Sequence, residues 1–590
     1  MVKPLPRGLL DAVLVVGALE EEVQAAALLS DHLPKVLKPV VLDVLVPPFT
    51  INEVTSQKSN GTSRQMARRR SFRKPKAEKV FGTTSDAKEL TESQDVSVPR
   101  ELNLAGIPLL CFPEGLCLQV QRPEDSFHSL VFTDVDGNRT YGVVLTFWRP
   151  VQANIVQNGS VRRLTRSCDM QFSFPIGICI TSKQPYYTAL TDCLSSFLAE
   201  LKSSSRDQIE TKLLEFSAKM ALIPCPPVGQ LYLKFTLKPL EIILPPPFEP
   251  DQLPVDLALH IPFLCFSPSQ VVQILTCLLT EQQVVLLCSN IALLTPLAEA
   301  LLALLRPLRW RHAFVPILAG QMLDFIEAPT VFLMGCHVQH RRTVQQVEDL
   351  VMVNVDSQAI TSAGCDTLIN VPNMPCAAKQ QFLNSVQALN MQYDLEVIGQ
   401  GESCTFDGSR QRRRLWQWQM NQAVSDAALQ FVITLFRDVS QHLNYEHRVF
   451  NSEQFLKDKE SLDLPFYTKV LKTDMFITFL KERLSRTTDA FSRIEQSTRS
   501  ESQRQRHDMW DSPRKLTAND IANKIQPLRK LANLYQADEQ VCMAWKKKSI
   551  YCLLSQIGLY HRPEAHSHLS CISIRGIPWI FQIHSHDLFI

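Results

Sequence analysis

Residues 261–290 read IPFLCFSPSQVVQILTCLLTEQQVVLLCSN. Ser267 can cap a helix N-terminus, Pro268 suits the first helical position, and Gln270 can complete a capping box. Val271, Ile274, Leu275 and Leu278 recur at steps of three and four, which marks one buried helix face. Gln283 to Cys288 is then a continuous apolar run, the pattern of a strand buried on both faces. A capped helix feeding a doubly buried strand is the repeating unit of a mainly parallel sheet flanked by helices.

The alternation continues downstream. Thr295-Pro296 predicts the cap of a second apolar helix. A strand is expected at Ala313 to Leu318, a short helix around Gln321 to Ile326, and a strand from Thr330 to Met334. Past Val355 strand signals fade and helices are expected instead. One spans Asn421 to Leu443, with Val424, Phe431, Leu435 and Val439 inward, and another Tyr467 to Leu484. Ser485 to Arg514 is rich in Arg, Ser and Gln and reads as a solvated linker, followed by a short amphipathic piece from Ile521 to Tyr535. No repeat of about 40 residues signals propeller blades.

Upstream, Lys3 and Arg7 precede the apolar run Leu9 to Leu19, but Asp11 interrupts it and Glu20-Glu21-Glu22 follows. That pattern favours a first core strand over a signal peptide. Asn52 to Asp95 has few large apolar residues and reads as a disordered insertion. LLCFPEGLCLQV predicts strand-turn-strand around Pro113-Glu114-Gly115. SLVFTDVDGNRTYGVVLTFWRP predicts a hairpin turning at Asp136-Gly137-Asn138. A helix is expected from about Pro185 to Leu201.

Composition narrows the function classes. The chain has 590 residues, 45% apolar and 20% charged, with a formal charge of +2. That is the composition of a globular protein, and it argues against a dedicated nucleic-acid binder. Glycine is scarce at 19 residues against 36 prolines, which excludes a collagen-like chain. Sixteen scattered cysteines with no Cys-x-x-Cys pair point to a reducing compartment, hence the cytosol. The longest near-apolar stretch, Ile291 to Leu305, is shorter than the roughly 18–20 residues of a membrane span. Any membrane contact is therefore expected to be peripheral.

Motifs for chemistry are few. The phosphate-loop pattern G-x-x-x-x-G-K-[ST] and the G-x-S-x-G elbow are absent. Gly399-Gln400-Gly401 begins a dinucleotide-like pattern that fails at Cys404. Cys336, His337 and His340 cluster, but no partner pair lies at zinc-finger spacing; His561, His566, His568, Cys571, His584 and His586 could bind a metal opportunistically, and surface histidines are the plain reading. No catalytic residue, metal or cofactor is expected. The insertion holds one charged feature. Arg64, Arg68, Arg69, Arg70, Arg73, Lys74, Lys76 and Lys79 face a single acid, Glu78, so sixteen residues carry +7. The remaining 53 bases and 58 acids give −5. A solvated loop is the plain reading. The alternative is attraction to anionic lipid. Ser71 behind Arg68, Arg69 and Arg70 suits a basophilic kinase, and a phosphate there could change the segment's partner to a phospho-dependent adaptor.

The order of parts carries a resemblance. DAVLVVG, CFPEG and FTDVDGNRTYGVVLTFWRP resemble the upstream part of a DENN domain. LYLKFTLKPLEIILPP, IPFLCFSPSQVVQILTCLLTEQQVVLLCSN, LRPLRWRHAFVPIL and LDFIEAPTVFLMGCH resemble its central part. VEDLVMVNVDSQAI and PFYTKVLKTDMFITFLKERL resemble its downstream part. The resemblance implies a bilobed, tripartite α/β module. Its parts are a longin-like lobe at residues 8–180 (with residues 52–95 as the basic insertion), an α/β lobe at 181–339, and a mainly helical part at 340–490. Residues 491–590 form a linker and tail. Longer members carry C-terminal propeller repeats, so a short form lacking them is expected. The implied function is guanine-nucleotide exchange on a Rab-family GTPase docked across both lobes at endosomal-type membranes. GDP, GTP and Mg²⁺ belong to the Rab. The alternative is a Rab-binding scaffold without exchange activity.

Six residues are candidate Rab contacts. Ser289 and Asn290 follow a buried strand, where α/β sheets place functional groups. Asp324 and Glu327 are acids among apolar residues, and Asp134 and Arg139 flank the hairpin turn. A helix cap, a packed turn or a plain β-turn is the bland alternative for each.

Overall fold

The computed structural model describes residues 8–28, 36–47, 104–133, 137–151, 154–157, 160–163, 172–204, 208–227, 229, 231–246, 256–363, 371–389, 391, 406–485, 491–492, 495 and 580–583. The chain divides into two compact units, Met1–Arg486 and Thr487–Ile590. In the second, the described residues include one strand, Ile580–Ile583. The basic segment with Arg68, Arg69, Arg70, Ser71, Arg73 and Lys74 lies outside the described residues, as do Asp134 and the amphipathic piece expected at 521–535.

The first unit opens with β1 (Ala12–Gly17), whose AVLVVG is almost wholly buried. α1 (Glu20–Leu28), β2 (Val40–Leu45), α2 (Ile107–Cys111), β3 (Ser126–Thr133), β4 (Arg139–Val151), the small hairpin β5 (Asn154–Gln157) and β6 (Ser160–Arg163), and β7 (Phe172–Ser182) follow. An antiparallel sheet runs β2-β1-β7-β4-β3. The hairpin expected around residues 136–138 is β3 and β4. The strand-turn-strand expected at LLCFPEGLCLQV is corrected: the segment enters as α2, with Pro108 in its first turn, where a missing N–H costs nothing. α3 (Tyr187–Ser203) packs against β4, and α4 (Ile209–Ala221) stacks Phe216 on Phe197 with ring centroids 4.5 Å apart. β8 (Tyr232–Leu237) and β9 (Leu240–Leu244) pair antiparallel.

The central part begins with α5 (Ile261–Cys265) and α6 (Pro268–Leu279). The capping box is present: Ser267 Oγ accepts from the Gln270 N–H, and Gln270 Oε1 accepts from the Ser267 N–H at 3.0 Å. β10 (Val284–Cys288) is buried at every residue. α7 (Ile291–Ala303) starts earlier than Thr295-Pro296 predicts, because Asn290 caps it by accepting from the Ala292 N–H. β11 (Ala313–Val315), a 3-10 segment (Gly320–Glu327), β12 (Phe332–His337), α8 (Arg341–Val344), β13 (Val351–Asn354) and β14 (Ala359–Ser362) complete this part. The second sheet runs β11-β12-β10-β13-β14, parallel except for β14. Gly335 on β12 has a structural reason: a Cβ there would lie 2.3 Å from the Pro316 carbonyl oxygen.

The expectation that strands stop near Val355 is also corrected, since β14 and the pair β15 (Leu443–Asn444) and β16 (Val449–Phe450) lie beyond it. The remainder is helical: α9 (Cys376–Gln387), α10 (Phe406–Phe436), α11 (Ser452–Lys457), α12 (Leu464–Val470) and α13 (Asp474–Leu484). α10 starts fifteen residues before the predicted Asn421 and ends at Phe436. Phe382, Phe431, Phe436, Phe455, Phe476 and Phe479 form its aromatic core.

Candidate functional site

The two sheets meet along a seam within the first unit. β3, an edge strand of the first sheet, lies against α7, and the Thr295 hydroxyl donates to the Ser129 carbonyl at 2.6 Å. One turn further along α7, Glu299 Oε1 accepts from the Tyr187 hydroxyl at 2.9 Å. Tyr187 meets Tyr141 edge to face, with centroids 6.0 Å apart. The Arg139 guanidinium lies 4.6 Å from the Phe314 ring centroid on β11. Burial raises the Glu299 carboxyl above its ordinary range, while the positive Arg139 and the Tyr187 hydrogen bond oppose that rise. Burial likewise pushes the Tyr141 hydroxyl up to about 12.

A second contact closes the seam elsewhere. Glu114, in the turn after α2, lies 2.9 Å from His340 Nε2 and also accepts from Gln339 Nε2. The Gly320 N–H donates to the Pro113 carbonyl at 3.0 Å. His340 sits directly over Gly320, 3.2 Å from where a Cβ would stand.

At the C-terminal edge of the second sheet, Asp356 organises the turn after β10. It accepts from the Ser289 N–H at 2.9 Å and from the Ser289 hydroxyl at 3.0 Å. Cys288 and Cys336 sit at the same edge, and burial pushes their thiols up to about 11 and about 12. They are held protonated, the wrong state for nucleophiles. Among the described residues no three His, Cys, Asp or Glu side chains come together as a metal site, and no helix is long and apolar enough to cross a membrane.

The structure does not bring the candidate contacts together. Ser289 and Asn290 are exposed at the C-terminal edge. Asp324 and Glu327 are exposed on the 3-10 segment beside Phe325, which is 53% exposed. That segment descends toward the opposite edge. Gln283, just before β10, donates to the carbonyls of Ala328 and Thr330 at 2.8 and 3.0 Å. A strand of five residues separates the two edges by roughly 16 Å. Arg139 is turned into the seam. Glu114, His340, Glu299 and Asp356 were not expected as contacts. Two were visible for other reasons, Glu114 as a turn residue and His340 as a metal-type ligand.

Three family models match the chain in order: the uDENN domain at residues 93–147, the DENN (AEX-3) domain at 173–358, and the dDENN domain at 450–494. The first takes in β3 and most of β4, the second runs from β7 to β13, and the third covers α11 to α13. β7 therefore belongs by match to the central domain and by pairing to the middle of the first sheet. Over 536 residues the chain is 41% identical to DENN domain-containing protein 3 of Mus musculus, covering 89% of this chain and 42% of that protein. It is 24% identical over 398 residues to DENN domain-containing protein 2B of Mus musculus and of Homo sapiens, covering 65% of this chain and 31% of each relative. The chain thus spans less than half the length of these relatives.

Proposed function

Because the chain belongs to the DENN domain family and carries its three domains in order, we propose that it is a guanine-nucleotide exchange factor for a Rab-family GTPase. One observation carries the reading: the upstream and central domains pack into one body, so a partner can touch both sheets at once. An exchange factor forms no covalent bond. It binds nucleotide-free Rab more tightly than loaded Rab, so differential affinity favours release. Switch I of the Rab, which helps hold Mg²⁺ and nucleotide, must be drawn aside. GTP then refills the site, and the nucleotide and Mg²⁺ stay with the Rab.

The exposed seam rim and the 3-10 surface with Asp324, Phe325 and Glu327 are the faces we assign to the Rab. Asp324 and Glu327 have no hydrogen-bond or ion-pair partner among the described residues, which leaves their carboxylates available. Ser289 and Asn290 are already engaged by Asp356 and by the α7 cap, so contact there would be through exposed backbone. The protein is proposed to act in the cytoplasm and on endosomal-type membranes, recruited through the basic segment and switched by phosphate on Ser71. The domain limits proposed above, 8–180, 181–339 and 340–490, and the tail at 491–590 belong to the same reading.

The test is direct. A panel of Rabs loaded with fluorescent GDP is mixed with purified protein and excess GTP. One Rab should lose signal at least tenfold faster than its intrinsic rate. Stable binding of a Rab without acceleration would favour the scaffold reading, and no acceleration on any Rab would overturn exchange.

A further inference from the structure

We propose that Glu299 is a positioning residue that locks the upstream sheet to the central lobe in the orientation a GTPase docked across both requires. The inference rests on the exchange reading for its consequence, though the lock is a feature of the fold itself. Glu299 lies in the middle of α7, a helix otherwise written in Leu, Ala, Ile, Thr and Pro. A carboxylate inside an apolar helix is costly to bury unless it is paired and hydrogen-bonded. Here the hydrogen-bond partner comes from α3, the helix packed against β4 of the first sheet, and one of the nearby positive charges comes from β4 itself. Tyr187, the first residue of α3, donates to Oε1 at 2.9 Å. Arg139, the first residue of β4, supplies positive charge that partly opposes the burial, with a smaller contribution from Arg306 after α7. Arg139 is itself held over Phe314 of β11, and Tyr187 against Tyr141.

One acidic side chain therefore gathers onto α7 the start of β4 in the first sheet and the start of α3, the helix that packs against β4. Apolar packing alone tolerates sliding, because it has no direction. A directional hydrogen bond and a buried charge fix the register of the two surfaces. Residues 129 and 295 add a second directional contact one helical turn away, at 2.6 Å. Two such contacts on one helix set an angle as well as a position.

The experiment compares full-length wild type with Glu299→Gln and Tyr187→Phe. Gln keeps an acceptor for Tyr187 and removes the charge that Arg139 faces; Phe keeps the ring and removes the donor. With the responsive Rab, both variants should raise the half-saturating Rab concentration about tenfold with kcat changed less than twofold. Hydrogen exchange should quicken at residues 126–133, 139–151 and 291–303 and stay unchanged at 464–484. The double variant should be no worse than the worse single one, since both disable one lock. Unchanged half-saturation and unchanged exchange in both single variants would overturn the lock. So would an equal rise in exchange at 464–484, which means general destabilisation. If no Rab responds to wild type, the exchange reading fails by itself. The hydrogen-exchange comparison then decides the lock alone: selective quickening at the seam supports it, and no change overturns it.

Discussion

Two half-buried titratable residues give the molecule opposite responses to acid. His128 on β3 is half-buried, and its Nε2 lies 3.2 Å from the Leu110 carbonyl, to which it donates. Burial lowers its pKa from 6.5 to about 4. Below pH 6.5 the unfolded chain binds the proton that the folded chain refuses, so His128 costs stability as pH falls from 6.5 to 4. Asp256 acts the other way. Its Oδ2 accepts from the Ala189 N–H at 2.9 Å at the start of α3, yet burial raises its pKa from 3.8 to about 7. Here the folded chain holds the extra proton, so Asp256 costs stability as pH rises from about 4 to about 7. Asp256→Asn keeps the acceptor and removes the charge. It should stabilise the protein at pH 8 by on the order of 1 kcal/mol, the partial exposure of the site reducing the effect. That advantage should shrink to nothing near pH 4. Urea midpoints of both proteins at pH 4, 6 and 8 measure this, and a pH-independent difference would refute it. His128→Gln should likewise flatten the loss between pH 6.5 and 4.

Helix ends show how the elements are joined. Glu281 follows α6 with a positive φ of 50°, and that left-handed turn aims its carboxylate at the start of α13. It accepts from the Asp474 N–H at 3.1 Å and from the Met475 N–H at 2.9 Å. Thr473 caps the same helix through the Phe476 N–H. A helix N-terminus has orphan donors and a partial positive charge, and Glu281 meets both needs from a different domain. Glu281→Ala should cost about 1–3 kcal/mol, and hydrogen exchange should quicken at residues 474–484 before the central sheet responds. Equal quickening throughout would mean that Glu281 does not couple the two parts. Local patterns of this kind divide into legible and hidden. The Ser267 capping box and the Val284–Cys288 strand were readable because their partners lie within four residues or on both sides of one strand. The first half of α10 was hidden because its inward face is charged. Arg410 and Arg414 both pair with Asp192, and Arg414 donates to the Glu241 carbonyl, so no apolar period marks the buried side. The start of α7 was hidden by Pro296, which sits inside the helix instead of at its head. The seam was hidden for a similar reason. Glu114 and His340 are 226 positions apart, and Tyr187 and Glu299 are 112 apart, so only the fold brings them together.

At the scale of the whole molecule, the charge of +2 conceals a division of labour. Residues 64–79 hold eight bases and one acid, and the rest of the chain holds 53 bases and 58 acids. At physiological salt, charges further apart than about 8 Å are largely screened from one another. On the proposed reading the segment acts through its own charge, and acidic residues beyond that distance do little to cancel it. Each Lys or Arg near an anionic membrane contributes about 1 kcal/mol. Replacing Arg68, Arg69 and Arg70 by Ala should weaken binding to phosphatidylserine vesicles by about a hundredfold, since 1.4 kcal/mol is tenfold. Phosphate on Ser71 adds nearly two negative charges and should act in the same direction. Vesicle co-sedimentation across salt concentrations separates charge from other attraction. Binding by wild type should fall steeply as salt rises, and the triple variant should start low and fall less steeply. Wild-type binding that persists at high salt, or an unweakened triple variant, would show that the segment is not what meets the membrane. The exchange rate of soluble Rab should be the same in both proteins, because the nucleotide-releasing surface is assigned to the paired sheets and the membrane contact to this segment.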